Sequence, residues 1–165
     1  MREEGLLKKL VAAHGVSGFE KNVRKIIEEE AAPYADEMTV DAIGNLIVLK
    51  KGTDGENKKK LMFAAHMDEI GFMVKKIEAD GRLKVCNMGW NWAGSAYNER
   101  VEFQNGVNGV VGCEGWIEDA KNDVGKLFID IGATSAEDAA KYVKLGDVCG
   151  LSLIHISEPT RPRLI

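Results

Sequence analysis

The chain has 165 residues, a formal net charge of −4 and a hydrophobic content of 45%, which suits one globular domain or two small ones. The negative charge gives no electrostatic reason to bind nucleic acid, and no apolar run approaches the roughly 20 residues needed to span a membrane. The cysteines, Cys86, Cys113 and Cys149, are odd in number and widely spaced. We therefore predict no disulfide framework or zinc knuckle, and a reducing cytoplasm fits best.

Two helices and a pair of strands are predicted in the first third of the chain. Apolar residues recur at helical spacing from about Glu3 to Ala13 and indicate an amphipathic helix. Ser17-Gly-Phe-Glu20 has the form of a capping box that opens a second helix. Met38–Val40 and Leu46–Leu49 then predict paired strands, because Gly44 permits a turn between them.

A short, wholly apolar run extends from Leu61 to Ala65, and His66, Asp68 and Glu69 follow it. A run without polar alternation predicts a strand buried on both faces, as in the middle of an α/β sheet. Polar residues at the carboxyl end of such a strand lie where open α/β sheets bind ligands and metals. The order helix, helix, hairpin, buried strand predicts the opening of an α/β domain.

His66 and Asp68 are the candidate site residues. A neutral imidazole binds a divalent metal through one nitrogen, and its other N–H needs an acceptor. A carboxylate two residues later points to the same side of an extended chain and could be that acceptor. The alternative is a histidine in a half-polar loop that is hydrogen-bonded to the carboxylate and binds no metal, since a metal site needs three or four ligands.

From Gly71 onwards the pattern changes to short strands separated by glycines. Ala79-Asp-Gly81-Arg is a strong hairpin signal. The regular spacing of the later segments predicts a small β-barrel or β-sandwich, with strands at Val101–Phe103, Val107–Val111 and Leu127–Ile131. Ser135–Asp138 is predicted to cap a helix from Ala136 to about Leu145.

Three tryptophans, Trp90, Trp92 and Trp116, lie in or beside the loops of this region. We expect their rings to pack beneath those loops, because a covered tryptophan buries a large apolar area. A substrate entrance lined by the rings is the alternative.

Four motifs and a turn resemble those of the tetrahedral metalloaminopeptidases, the cytosolic family of glutamyl aminopeptidases and of proteins once named cellulase M. They are Gly15-Val-Ser17-Gly-Phe-Glu20, Asp41-Ala-Ile-Gly44-Asn45-Leu46, Ala65-His66-Met67-Asp68-Glu69-Ile70-Gly71-Phe72, Lys126-Leu-Phe-Ile-Asp130-Ile-Gly132-Ala and the Gly146-Asp147 turn. The resemblance covers Leu6 to about Gly150, and only the first part of the family's chain. It implies a cytoplasmic, homo-oligomeric hydrolase that removes N-terminal residues from peptides.

The resemblance also implies a fold and a site. The fold is an α/β catalytic domain of the zinc-peptidase type with a parallel or mixed sheet, begun by residues 1–70, into which a small, oligomer-building β-barrel of residues 71–150 is inserted. Two divalent ions, zinc or cobalt, belong to the family's site. This chain supplies His66 as a metal ligand and Asp68 as the catalytic-site carboxylate that orients it. The family's other ligands and its general base follow the inserted domain, so the chain alone is expected to be inactive.

Residues 151–165 depart from the family. The run from Leu151 to Arg161 resembles the translation of a transposase sequencing adapter, and Pro162–Leu164 would be read from a sample index. We therefore expect the gene's own sequence to be cut near Gly150, and we exclude the tail from fold reasoning as non-native. The alternative is a strand from Leu151 to Ile156.

Two other functions stay open. One is a non-catalytic binding or assembly module built on the β region, which downstream coding sequence without acidic ligand motifs would favour. The other is a glycoside hydrolase, after the older family name. That chemistry needs two opposed carboxylates across a sugar-binding cleft, which a His-x-Asp strand end does not provide.

Overall fold

The computed structural model describes residues 2–52 and 59–151. The chain divides into two compact units. The first comprises the described residues of Met1–Gly15 and Phe19–Asp68, and the second comprises those of Val16–Gly18 and Glu69–Ile165. No helix in the described ranges is long and apolar enough to cross a membrane. The adapter-like tail lies outside the described residues from position 152 onwards.

The first unit contains two helices and a strand pair: α1 (Arg2–Val11), α2 (Lys21–Ala31), a 3-10 turn (Ala32–Tyr34), β1 (Glu37–Val40) and β2 (Leu46–Leu49). The predicted strand pair is confirmed, since β1 and β2 are antiparallel. Asp41 builds their turn, because its Oδ1 accepts from the backbone N–H of Ile43 at 3.1 Å and of Asn45 at 2.8 Å. A hydrogen bond from the Asn45 side chain, followed by these backbone bonds, lowers the pKa of the Asp41 carboxyl.

The predicted capping box is wrong. Helix α2 begins at Lys21, and its N-cap residue is Glu20, whose side chain makes no capping hydrogen bond. Ser17 lies in a turn ahead of the N-cap position, which Glu20 occupies, and its backbone N–H donates to the carbonyl of Glu69 at 3.3 Å. Val16 forms a parallel bridge with the same residue. The bridge is made by Val16, and Ser17 and Gly18 then form a turn, with Gly18 at a φ of 84°, where the capping box would have placed the first helical turn.

The predicted buried strand from Leu61 to Ala65 is also wrong. This run carries no regular secondary structure, and the side chains of Leu61, Met62 and Phe63 are 79%, 86% and 89% exposed. A strand forms by pairing with a neighbour, and no described residue pairs with this run. Within the described part of the first unit, the sheet is the antiparallel pair of β1 and β2, so these residues form neither a parallel nor a mixed sheet.

The second unit is a closed six-stranded barrel, which confirms the predicted β-barrel. Its strands run in the order β3-β4-β7-β6-β5-β8, and every pairing is antiparallel. The hairpin at Asp80-Gly81 joins the first two, with Gly81 at a φ of 88°. The strands are β3 (Gly71–Ile77), β4 (Leu83–Met88), β5 (Arg100–Phe103), β6 (Asn108–Cys113), β7 (Leu127–Asp130) and β8 (Val148–Leu151).

The barrel interior forms the hydrophobic core of the second unit. Buried residues alternate with half-buried or exposed ones along β4, β5, β6 and β7, as expected for strands of a barrel. The largest fully buried side chains in the strands are Phe72, Phe103, Leu83, Leu127 and Ile129. Short helices α3 (Ala93–Ala96) and α4 (Ile117–Ala120) pack on each other, and their alanines are buried.

The capped helix near the end of the chain is shorter than predicted. Ser135 Oγ accepts from the backbone N–H of Asp138 at 3.2 Å, which confirms the cap. Helix α5 nevertheless covers only Ala136–Ala139. The chain then turns, because the Asn105 side chain donates to the carbonyl of Tyr142 at 2.7 Å and Asp147 Oδ2 accepts from the backbone N–H of Lys144 at 3.0 Å. These partners replace the hydrogen bonds that would have continued the helix.

Candidate functional site

The two predicted site residues lie together in the first unit. Nδ1 of His66 is 3.1 Å from Oδ1 of Asp68 and 3.0 Å from its backbone carbonyl oxygen. Because both partners are acceptors, Nδ1 carries the hydrogen of the neutral ring and Nε2 keeps its lone pair. The His66 side chain is 86% exposed. The geometry therefore leaves Nε2 as an oriented, accessible nitrogen with a lone pair.

His66 and Asp68 border a cleft of about 330 Å³ in the first unit. Its other polar side chains are those of Glu20 and Asn45. The remaining walls are mostly apolar and come from α2 and the β1–β2 hairpin, with contributions from Ile27, Ile43, Leu46 and Val48. The cleft thus combines one imidazole, two carboxylates and an apolar surface.

A complete metal centre is not formed by the described residues. They contain no group of three His, Cys, Asp or Glu side chains that could hold an ion, whereas zinc sites use three or four protein ligands. The donor set fits one imidazole ligand and the carboxylate that orients it, which are the two protein members of a carboxylate–histidine–metal triad. It does not fit a pair of ions.

The tryptophans do not pack beneath the loops, so that prediction is wrong. Trp90, Trp92 and Trp116 are 78%, 63% and 81% exposed. Trp92 and Trp116 immediately precede α3 and α4, and the small alanines of these helices occupy the covered positions instead. A four-residue helix that buries only methyl groups leaves no room beneath it for an indole ring.

Asn91 is a buried polar residue that the sequence pattern did not indicate. It is 5% exposed, and its Nδ2 donates to the carbonyl of Gly71 at 2.5 Å. Its Oδ1 has no hydrogen-bond partner among the described residues. Its backbone carbonyl accepts from the side chain of Asn87 at 3.0 Å. The only signal in the sequence is an amide flanked by two tryptophans, which is too common to predict burial.

The chain matches known proteins over most of its length. The sequence profile of the family described as M42 glutamyl aminopeptidase matches residues 44–153. A protein of Acetivibrio thermocellus, named as a candidate aminopeptidase, is 47% identical over 144 residues, which are 87% of this chain and 42% of the relative.

Solved structures agree with the sequence matches. The TET aminopeptidase from a marine sediment archaeon of the Thaumarchaeota is 34% identical with a TM-score of 0.81, over 92% of this chain and 45% of that one. The TET1 peptidase of Pyrococcus horikoshii, which can assemble into a tetrahedron or a large octahedral shell, is 35% identical with a TM-score of 0.73, over 89% and 46%. The chain therefore spans less than half the length of these relatives.

Proposed function

The chain belongs to the M42 glutamyl aminopeptidase family, and we propose that it forms the first part of a metal-dependent aminopeptidase that hydrolyses N-terminal residues from peptides. The observation that carries the proposal is the His66–Asp68 pair, whose Nδ1–Oδ1 distance is 3.1 Å. A carboxylate on one ring nitrogen holds the imidazole so that the other nitrogen is available to a metal.

Two divalent ions, zinc or cobalt, are the proposed cofactors of the longer chain, where they would supply Lewis-acid polarisation of a carbonyl and activation of water. Nε2 of His66 is the proposed ligand atom in this chain, and Asp68 is the carboxylate that orients the ring. The other ligands and the general base are proposed to lie in sequence that the longer relatives possess.

The chain by itself is proposed to be inactive. One imidazole and its partner do not hold a pair of ions, because each ion needs several protein ligands. A positioned general base typically contributes about 10²–10⁴-fold to the rate, and the described residues offer no group of three acidic or metal-binding side chains from which to build that centre.

The domain assignment is also a proposal. Residues 1–70 would begin the catalytic domain, and residues 71–150 would be an inserted barrel domain that contributes to a homo-oligomer in the cytoplasm. The closed barrel supports the second part, and the assembly of the P. horikoshii relative into shells supports the oligomer. The adapter origin of residues 151–165 stays a prediction, and the family match runs to residue 153.

The decisive experiment extends the gene past Gly150 from the same DNA and compares the two chains. Both are purified and assayed on a panel of aminoacyl-anilides, including glutamyl and lysyl substrates, with added zinc or cobalt. We expect turnover by the extended chain, its loss on His66→Ala, and none by the 165-residue chain. Turnover by the 165-residue chain that survives His66→Ala would overturn the site assignment.

A non-catalytic assembly module is the second candidate function. The observation in its favour is that the barrel has a complete core of its own, while the described residues lack a complete ligand set. An extended chain that remains inactive with both metals, but still forms a homo-oligomer, would favour this function over the peptidase.

A further inference from the structure

We propose that Gly15–Ser17 is a positioning segment for His66 and Asp68, which acts by fixing the backbone on either side of Asp68. The inference rests on the proposed role of His66 as a ligand, but its observations are independent of that role. They are one close contact in the first unit and one bridge in the second.

In the first unit, Gly15 is buried and lies against the peptide that joins Met67 to Asp68. A methyl group added at Gly15 would lie 2.5 Å from Cγ2 of Val23 and 3.3 Å from the carbonyl oxygen of Met67. The first distance is far below a van der Waals contact, so only a residue without a side chain fits here. Any larger residue must displace Val23 or the Met67 carbonyl.

In the second unit, the next two residues hold Glu69. Val16 forms a parallel bridge with Glu69, and the backbone N–H of Ser17 donates to the Glu69 carbonyl at 3.3 Å. Val16 is 0% exposed, and its Cγ2 would lie 2.7 Å from a methyl group added at Gly71. This burial fixes Val16, and through the bridge it fixes the residue that follows Asp68.

The orientation of His66 depends on this backbone because its ring is otherwise exposed. Both acceptors of its Nδ1, the carbonyl oxygen and Oδ1, belong to Asp68. A rotation of the peptide that precedes Asp68, or of the one that follows it, moves these acceptors away from the ring. The imidazole then loses the bonds that place the hydrogen on Nδ1, and Nε2 is no longer the free nitrogen.

The test reads the tautomer of His66 directly in the 165-residue chain. Long-range ¹H–¹⁵N correlation spectra of neutral imidazoles distinguish an Nδ1–H ring from an Nε2–H ring, and His66 is assigned by its loss in His66→Gln. We expect the Nδ1–H form in the unsubstituted chain. No metal and no peptide enters the measurement, so its outcome is separate from that of the activity assay.

Each substitution has a matched control of the same chemistry. Gly15→Val is compared with Gly52→Val, because nothing lies within 4 Å of an added methyl group at Gly52. Val16→Ala is compared with Val111→Ala, since both valines are 0% exposed and both lie in the second unit. We expect the two substitutions in the segment, and neither control, to shift His66 towards the Nε2–H form.

Three outcomes would overturn the proposal. They are an Nε2–H ring in the unsubstituted chain, a shift in Val111→Ala as large as that in Val16→Ala, and no shift in either segment variant. The second outcome would mean that His66 responds only to general loss of stability. If Gly15→Val does not fold, the milder Gly15→Ala and the Val16→Ala pair decide the question.

Discussion

Nδ1 of His66 lies 3.1 Å from Oδ1 of Asp68, and the backbone carbonyl oxygen of Asp68 lies 3.0 Å from the same nitrogen. The carboxylate therefore supports a ring that already has one neutral acceptor. Its removal weakens the orientation of the ring without abolishing it. Substitution of Asp68 should therefore weaken the orientation of the ring, whereas substitution of His66 removes the ring itself.

We expect Asp68→Ala in the extended chain to lower metal affinity and kcat/KM by about 10–100-fold, the usual effect of removing the carboxylate behind a metal-binding histidine. His66→Ala should remove activity at every metal concentration, because it deletes a ligand atom. Titration of activity with zinc or cobalt separates the two, since excess metal should rescue only Asp68→Ala.

Asp123→Ala is the control for this comparison. The Asp123 carboxylate accepts from the backbone N–H of Gly125 at 2.8 Å in a turn of the second unit, so its removal should leave the metal titration unchanged. Equal losses in Asp68→Ala and Asp123→Ala would contradict the assignment of Asp68.

The first unit exposes a continuous apolar run, and we expect it to bind hydrophobic dyes and promote self-association. Leu61, Met62 and Phe63 are all at least 79% exposed, and contiguous apolar surface of this kind is typical of interaction or aggregation sites. Leu61→Asp should lower anilinonaphthalene sulfonate fluorescence and slow aggregation in light scattering. Leu145→Asp is the matched control, because Leu145 is an exposed leucine of the second unit, 62% exposed. Equal effects of the two substitutions would contradict the prediction.

The barrel was predictable because its signals are local. Asp80-Gly81 specifies the hairpin by itself, since the turn needs a residue at positive φ and the backbone N–H of Gly81 closes it onto the Glu78 carbonyl at 3.0 Å. In β5 and β7, buried residues alternate with half-buried or exposed ones, and this period of two shows which side chains face inward. Neither inference needs knowledge of a distant segment.

The wrong predictions have the opposite cause, because they concern elements that depend on contacts with distant parts of the chain. The run from Leu61 to Ala65 has the composition of a central strand, but a strand depends on partners that composition does not reveal. Ser17 and Glu20 have the spacing of a capping box, but Val16 is bridged to Glu69, more than 50 residues away in sequence, and Ser17 lies in the turn that follows it. His66 and Asp68 were found because their contact spans two residues. Gly15 and Asn91 were missed because their contacts are distant in sequence.

We expect Phe103→Ala to destabilise the second unit by about 3–5 kcal/mol, the usual cost of deleting a buried phenylalanine ring. Phe103 lies in the barrel core and is 1% exposed. Phe63→Ala is the matched control, because Phe63 is 89% exposed and exposed substitutions usually change stability by less than about 0.5 kcal/mol. Urea unfolding followed by the near-ultraviolet circular dichroism of the barrel measures both. A smaller loss of unfolding free energy for Phe103→Ala than for Phe63→Ala would contradict the placement of Phe103 in the barrel core.

Burial raises the pKa of the Cys149 thiol to about 12, against a weaker lowering by a hydrogen bond from the Phe72 backbone. Since the thiolate is the nucleophile, we expect iodoacetamide at pH 8 to modify the half-buried Cys86 and Cys113 well before Cys149. Mass spectrometry of the native chain measures the order. Rapid modification of Cys149, without unfolding, would contradict its burial.

The same pKa shift predicts a loss of stability at high pH. Below the ordinary thiol pKa of 9.0, Cys149 is neutral in the folded and the unfolded chain and contributes nothing to pH dependence. Between that value and a folded pKa of about 12, only the unfolded chain ionises, so the free energy of unfolding falls as pH rises. At pH 10 the loss is about 1.4 kcal/mol, at 1.36 kcal/mol per pKa unit. Cys149→Ala removes this term, so its stability relative to the unsubstituted chain should improve by that amount between pH 8 and pH 10 in urea unfolding. A difference that does not change with pH would contradict the prediction.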